Sequence, residues 1–538
     1  MRGALSVLLG ITAASAFASP VSAQTQSAHQ HAIPRLGTVE FRVECNPAAQ
    51  AEFNTAMALY HSFAWPQAIA AFKAIERTDP ACGMAHWGQA MAILDNPFTW
   101  PAPLSAPRLD SVVAALDAAQ AAGLKSKREQ DYVAAVGVFV RGHAAKPHPE
   151  RMKAFDAAMA SVMAAYPDDT EAKVLSALIT SANFDPTDKN YTNQLKAAAI
   201  LEPLFKAHPN HPGVAHYLIH SYDYPAIADK GLTAAKAYAA IAPDAPHALH
   251  MPSHIFTRVG YWKESIAANR ESWRVSGESV FDGHHAADYM VYAHLQLAQD
   301  AAARQAMAIS VARPAVDNFA AAYAYAAMPA RLRLEAGDWA GAAALPLEPK
   351  KDAYPWQKYP QSESVNAFAR GIGAARSGNA AAAREEQARL TALRDAARTA
   401  QLGYWAGQID IQAAVVGALA LCAEGKSDAC LSELKAAAAR EDATEKHVVT
   451  PGPLLPAREL LAEALLAANK PAESLAEYDA VMKKEPNRYR AIAGAMAAAR
   501  AAGDDKRARA LAAELVKLGA ESDTPRDGLR QAKEIAGG

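Results

Sequence analysis

The sequence predicts an all-α protein whose helices stack as a solenoid, and three observations predict it. Apolar residues make up 51% of the chain but lean heavily on alanine, with only 7% aromatic. Alanine is the best helix former, and few segments carry the Val/Ile/Thr/Tyr enrichment of strands. A signature of a Gly-containing turn followed by a small residue recurs along the chain, and an array of repeats reaches 538 residues without separate globular domains. The 29 Gly and 32 Pro lie near ordinary usage, which excludes collagen-like and low-complexity chains. The 54 basic and 56 acidic residues balance to −2, so there is no broad positive field to hold DNA or RNA.

Taken in order, residues 1–23 read as a secretory signal peptide. Arg2 precedes an apolar run from Ala4 to about Phe17, and Val21-Ser22-Ala23 offers a small-x-small cleavage site. Residues 24–49 read as an extended arm, in which His29 and His31 are a weak metal-capturing candidate and a loose terminus is the simpler reading. No later stretch reaches the roughly 18 to 20 uninterrupted apolar residues of a membrane span. The expected location is the periplasm, with the extracellular space second. In an oxidising compartment Cys45, Cys82, Cys422 and Cys430 allow three pairings, and proximity favours Cys45 with Cys82 and Cys422 with Cys430. A cysteine metal site lacks any C-x-x-C.

Residues 50–300 and 301–538 divide the solenoid into two halves. The turn signature appears at Gly260-Tyr261-Trp262, Gly337-Asp338-Trp339, Gly378-Asn379, Gly425-Lys426 and Gly503-Asp504. At the start, Ala68, Phe72 and Pro80 fit a second helix that closes the first repeat. Cys430 takes a small-residue position in one helix and Cys422 the last turn of the helix before, which brings them within disulfide reach. Trp65, Trp87, Trp262 and Trp339 fall where large apolar residues seal neighbouring repeats. Pro97–Pro103 and Pro346–Pro360 are Pro/aromatic stretches that serve either as connections or as covers over a groove.

The clearest repeat runs from Arg458 to Pro486. There Leu461, Ala462, Leu465, Ser474, Tyr478, Val481 and Pro486 stand at the small, apolar and closing positions around an Asn469-Lys470-Pro471 turn. On these residues the chain resembles the tetratricopeptide-repeat (TPR) family over most of residues 50–520. That resemblance implies a right-handed α-solenoid of degenerate TPR-like helix-turn-helix repeats. Leu59-Tyr60-His61-Ser62-Phe63, the segment Asp79–Gly88, His216-Tyr217-Leu218-Ile219-His220 and His250-Met251-Pro252-Ser253-His254 further resemble a bacterial group of exported repeat proteins. Tyr60 and His86 depart from that group's pattern, and the group brings no activity with it.

Seventeen histidines remain, and some are phased. His216 and His220, spaced i, i+4, share a helix face with Asp223. Thirty-four residues on stand His250 and His254, and thirty-four further His284 and Asp288. Stacked repeats would align these as two rows in the concave groove, where imidazole and carboxylate suit copper, zinc or iron. Pro252 at a first helical turn would put His250 at an N-cap. His61 and His294 are outer candidates, while Asp282 and His285 read as turn-capping or exposed. Packing of the histidines between Ala-rich helices is the competing explanation. No H-E-x-x-H, C-x-x-C-H, Gly-rich phosphate loop or G-x-S-x-G is present.

Two functions therefore compete. One is an exported scaffold whose His/Asp cluster binds a transition metal, with a metalloenzyme as its further reach. The other is a non-catalytic TPR module holding a peptide or protein partner in the cell envelope; a purely structural envelope role is a third. Phased His and Asp, where peptide-binding repeats present Asn, Lys and Arg, favour the metal.

Overall fold

The computed structural model describes residues 34–99, 102–277 and 280–537, so the signal segment, His29, His31 and Trp100 lie outside the described residues. From Arg35 onward the chain forms one compact unit. It is all-α: helices pair as hairpins with their sequence neighbours, and the hairpins stack as a solenoid.

Local sequence explains the helix boundaries. Asn46 caps helix Pro47–His61 by accepting from the Ala49 amide, Asp169 caps Thr170–Ala182, and Asn379 caps Ala380–Thr399. Pro47 stands in the first turn, where its missing N–H costs nothing. The recurrent turns have left-handed glycines at Gly337, Gly378, Gly425 and Gly503. Gly260 shows the sharpest need: its φ is 71°, and a Cβ there would stand 2.4 Å from the Pro486 carbonyl oxygen.

The N-terminal segment before Asn46 is not a loose arm throughout. Val39, Phe41 and Val43 are buried, and Phe41 meets Phe53, Trp87 and Tyr132 with ring centroids 5.1–5.5 Å apart. Trp87 and Trp262 are buried in repeat packing, as their positions predicted. In the C-terminal repeat Ser474 donates to the Ala462 carbonyl at 2.7 Å, which draws the two helices of the hairpin together. Both disulfides pair as expected, with Cα atoms 5.0 Å apart for Cys45–Cys82 and 5.2 Å for Cys422–Cys430.

The solenoid also closes on itself. Helix Pro47–His61 touches Pro212–Tyr222, and Val280–Gln296 touches Tyr489–Ala501. The Trp262 indole donates to the Asn487 carbonyl at 2.8 Å, and the buried Arg331 pairs with Asp288 at 2.9 Å while donating to Thr450 and Gly452. The segment between helices Ser427–Asp442 and Ala457–Ala467 also meets the first half of the chain, with Lys446 on Asp223 and the Val448 carbonyl accepting from Tyr289. Helix Gly403–Ala423 is long and apolar enough to cross a bilayer, alone among the described residues. It instead packs between Ala380–Thr399 and Ser427–Asp442 with about half its length buried.

The stretch at 346–360 is a connection, since Tyr354 and Trp356 are buried and the Trp356 indole donates to the Pro349 carbonyl. From the other stretch, Phe98 does reach the groove, lying flat on His220 with ring centroids 3.8 Å apart.

Candidate metal centre

Helix Pro212–Tyr222 carries His216 and His220 one turn apart, both buried. Helix Pro246–His250 continues into Pro252–Arg258 because Met251 is itself helical, at φ −53° and ψ −36°. His250 therefore stays on the regular face rather than at a cap. His247, His250 and His254 stand at i, i+3 and i+7 and share one side. The following long helix, Val280–Gln296, brings His285.

These six imidazoles form two adjoining triads, His216/His220/His247 and His250/His254/His285, each with ligand atoms within 4.8 Å of one another. In the first, His216 Nε2 lies 3.1 Å from His220 Nε2 and 3.2 Å from His247 Nε2. In the second, His250 Nε2 lies 3.0 Å from His254 Nε2, and the His285 ring centre is 4.5 Å from that of His250. Across the seam, His220 and His254 ring centres are 6.0 Å apart and those of His247 and His250 6.1 Å.

The outer ring nitrogens fix which face carries the lone pairs. Asn269 donates its amide to the Ser265 carbonyl at 2.7 Å, so its Oδ1 accepts from His250 Nδ1 at 2.6 Å. Asp223 accepts from His254 Nδ1 at 2.9 Å, and the His61 carbonyl accepts from His216 Nδ1 at 2.7 Å. With Nδ1–H committed in all three rings, Nε2 of His216, His250 and His254 is an unprotonated lone pair aimed into the cluster. His250 and His254 thus face one another as two acceptors. His220 Nδ1 and His285 Nδ1 are buried without a hydrogen-bond partner.

Electrostatics keep the rings neutral. Burial, reinforced by neighbouring imidazoles, pushes His216, His220, His247, His250 and His285 well below the ordinary histidine range. Burial also lowers His254, against the pull of Asp223. Asp223 stays ionised in spite of its own burial because Lys446 and Arg258 flank it, with Arg258 Nε 2.8 Å from one carboxylate oxygen and Lys446 Nζ 3.4 Å from the other. An opposed pair of neutral lone pairs is repulsive unless a cation lies between them, and paired imidazoles in a tetrahedral site with bonds of about 2.0–2.1 Å stand only ~3.3 Å apart.

A third group, His61/Glu171/His211, has a different logic. His61 Nε2 and His211 Nε2 donate to the two oxygens of Glu171 at 2.9 and 2.7 Å. Their Nδ1 atoms accept from the Tyr217 hydroxyl at 2.8 Å and the Val214 amide at 3.3 Å. All four ring nitrogens and both carboxylate oxygens are paired, so this is a satisfied hydrogen-bond network needing no ion. Gly213 makes room for it, since a Cβ there would stand 2.5 Å from His61 Nδ1.

Of the nine residues chosen from spacing, four stand in the triads: His216, His220, His250 and His254. Asp223 is a step outward, orienting His254. His61 touches the cluster only through its carbonyl, which the closure of the solenoid makes possible. His284 and Asp288 point elsewhere. His284 accepts from Ser310 at 2.7 Å and faces the Pro314 carbonyl, and Asp288 is held by Arg331. The reason is one residue of register. The structural interval from His250 is 35, which selects His285, and one residue turns a helix by about 100°. Tyr289, 35 residues after His254, takes the place expected of Asp288; its hydroxyl lies 3.4 Å from His254 Nδ1 and donates to the Val448 carbonyl at 3.1 Å. His294 is occupied by Gln299 at 2.7 Å. His247 was missed although H-x-x-H-x-x-x-H marks one helix face.

Beside the cluster opens a pocket lined by Tyr323, Tyr404, Trp405, His447, Arg258 and Lys446, among others. Arg258 and Lys446 are the two cations on Asp223, so the wall of the pocket is linked to His254 through Asp223, two polar contacts away. Burial and the nearby Arg258 bring the Lys446 ammonium down to about 8.

No family model matches the chain, and no curated protein matches it. Among solved structures, that of Naa15/Naa10 bound to HypK-THB aligns over 91% of this chain and 73% of that one, at 12% identity and a TM-score of 0.25. A circular tandem repeat protein with novel repeat topology and enhanced subunit contact surfaces aligns over 91% and 98%, at 12% identity and a TM-score of 0.12. At these scores neither likeness bears on function, and the helical-repeat assignment stands on the stacked hairpins of the chain itself.

Proposed function

We propose that this chain is an exported repeat scaffold of the tetratricopeptide type whose histidine cluster binds a transition metal, and that the centre makes it a metalloenzyme. The observation that carries the reading is the His250–His254 pair: both Nδ1 atoms are committed to acceptors, both Nε2 lone pairs face each other at 3.0 Å, and burial disfavours the proton that would otherwise bridge them. An all-imidazole donor set suits copper, zinc and iron, with copper bound most tightly in the usual order. Asn269, Asp223 and the His61 carbonyl are the outer partners that metal-binding imidazoles require. Two disulfides support an oxidising location, the periplasm or beyond. The aromatic pocket beside Lys446 is the substrate site in this reading, since among the pockets described it alone is lined by Arg258 and Lys446, the two cations that hold Asp223.

Elemental analysis of the mature chain, prepared without a histidine tag and reconstituted separately with copper, zinc and ferrous iron, tests the proposal. Stoichiometric metal that falls in His254→Ala and persists in His284→Ala is the expected result. Less than about a tenth of an equivalent, unchanged by His254→Ala, would sink it.

A further inference from the structure

Resting on the metal-binding reading, we propose that the cluster is a dinuclear centre: each histidine triad holds its own ion, and a small anion such as hydroxide or azide bridges the two.

The two triads are built by the same rule. Each takes an i, i+4 pair from one helix, His216/His220 or His250/His254, and one histidine from the next helix of the groove, His247 or His285. In each, the pair meets Nε2 to Nε2, at 3.1 Å in the first and 3.0 Å in the second. In each, the first histidine of the pair is anchored by Nδ1 donation, to the His61 carbonyl or to Asn269. In each, the pair is buried and the third histidine half-buried. Helix Pro246–Arg258 belongs to both, giving His247 to one triad and His250 with His254 to the other. Stacked repeats place equivalent positions side by side, so duplication of a helix pair duplicates the site.

The alternative is a single ion shared by six imidazoles. Within the triads ring centres stand 4.5–5.0 Å apart for four pairs and 6.2 Å for His254 and His285, against 6.0 and 6.1 Å across the seam, and the ligand atoms gather within 4.8 Å as two groups of three, so the donors converge on two points rather than one. Three imidazoles leave each ion an open position, and paired ions in known two-metal sites stand about 3.5–4 Å apart, close enough to share a ligand. The donor set also lacks any anion. Asp223 is already engaged by Arg258, Lys446 and His254, and Asp288 by Arg331. Two divalent ions would bring four uncompensated charges into a buried site, which a bridging anion offsets. The ligand class is therefore a small anion that spans two metals. Copper is the ion of choice because its affinity for imidazole leads the divalent series and its unpaired electron reports the neighbour.

The test uses the full mature chain loaded with copper(II), with copper counted by elemental analysis and unpaired spins by electron paramagnetic resonance, with and without azide. The expected result is two copper ions per chain, with integrated spin falling below half of the copper present when azide bridges them. His247→Ala and His285→Ala, each removing a half-buried histidine, should each hold one copper and show its full spin, unaffected by azide. One copper per wild-type chain, or two with full spin under azide, overturns the dinuclear centre and leaves metal binding standing. No copper in a folded wild-type chain overturns both. The wild-type count and spin decide the matter even where a variant fails to fold.

Discussion

His250 and His254 meet Nε2 to Nε2 at 3.0 Å while Asn269 and Asp223 hold their opposite ring nitrogens. That arrangement fixes the tautomers before any ligand arrives, and it separates this site from the His61/Glu171/His211 network, where donors and acceptors alternate to completion.

Asn269 anchors His250 without pointing into the cluster. Asn269→Ala should weaken metal affinity about 10–100-fold, read by competition with a chelator of known affinity. Circular dichroism should show an unchanged helical signal. Equal affinity in the variant would mean that the tautomer of His250 is set by something else.

Glu171 is buried and accepts from two imidazoles, which hold its carboxyl well below the ordinary range against the opposing effect of burial. A depressed carboxyl contributes stability that is fully present above the unfolded value near 4.5 and is lost as the pH falls below it. Glu171→Ala strands two buried donors and should cost about 3–5 kcal/mol, measured by denaturant unfolding at pH 7. Metal stoichiometry should not change, because the network contributes no ligand.

Glu441 carries the opposite sign. Burial pushes its carboxyl up to about 7, with Lys484 opposing, while its oxygen accepts from the Ala457 amide at 2.8 Å. The folded state binds this proton more tightly than the unfolded chain, so stability falls as pH rises from about 4.5 to about 7. Glu441→Gln should remove that fall, and at pH 8 the variant should be more stable than the parent by about 1–3 kcal/mol. A parallel pair of stability-against-pH curves would contradict this.

The disulfides close loops of different length, 37 and 8 residues apart. Loop-closure entropy then assigns about 4 kcal/mol to Cys45–Cys82 and about 2.5 kcal/mol to Cys422–Cys430. Paired Cys→Ser variants measured by thermal or denaturant unfolding should follow that order. Thiol titration of the denatured, unreduced chain should find fewer than about one reactive thiol.

The fold and four of the six clustered histidines were legible for a common reason: both are periodic. Alanine content, turn glycines and the i, i+4 histidine pairs repeat along the chain, and periodicity survives without coordinates. What failed was phase. His284 and Asp288 followed from a 34-residue interval, but the structural step into helix Val280–Gln296 is 35, which turns His285 and Tyr289 inward instead. Partners that are distant in sequence were equally hidden. Lys446 meets Asp223 and Phe98 covers His220 only because the solenoid curls back on itself.

X-ray absorption at the edge of the bound metal reads the ligands that the histidine cluster supplies. The expected spectrum shows a first shell of about three nitrogens at about 2.0–2.1 Å with the outer-shell scattering of imidazole rings, reduced by His254→Ala. A shell of oxygens alone, or a chain that retains no metal at its edge after reconstitution, would contradict it.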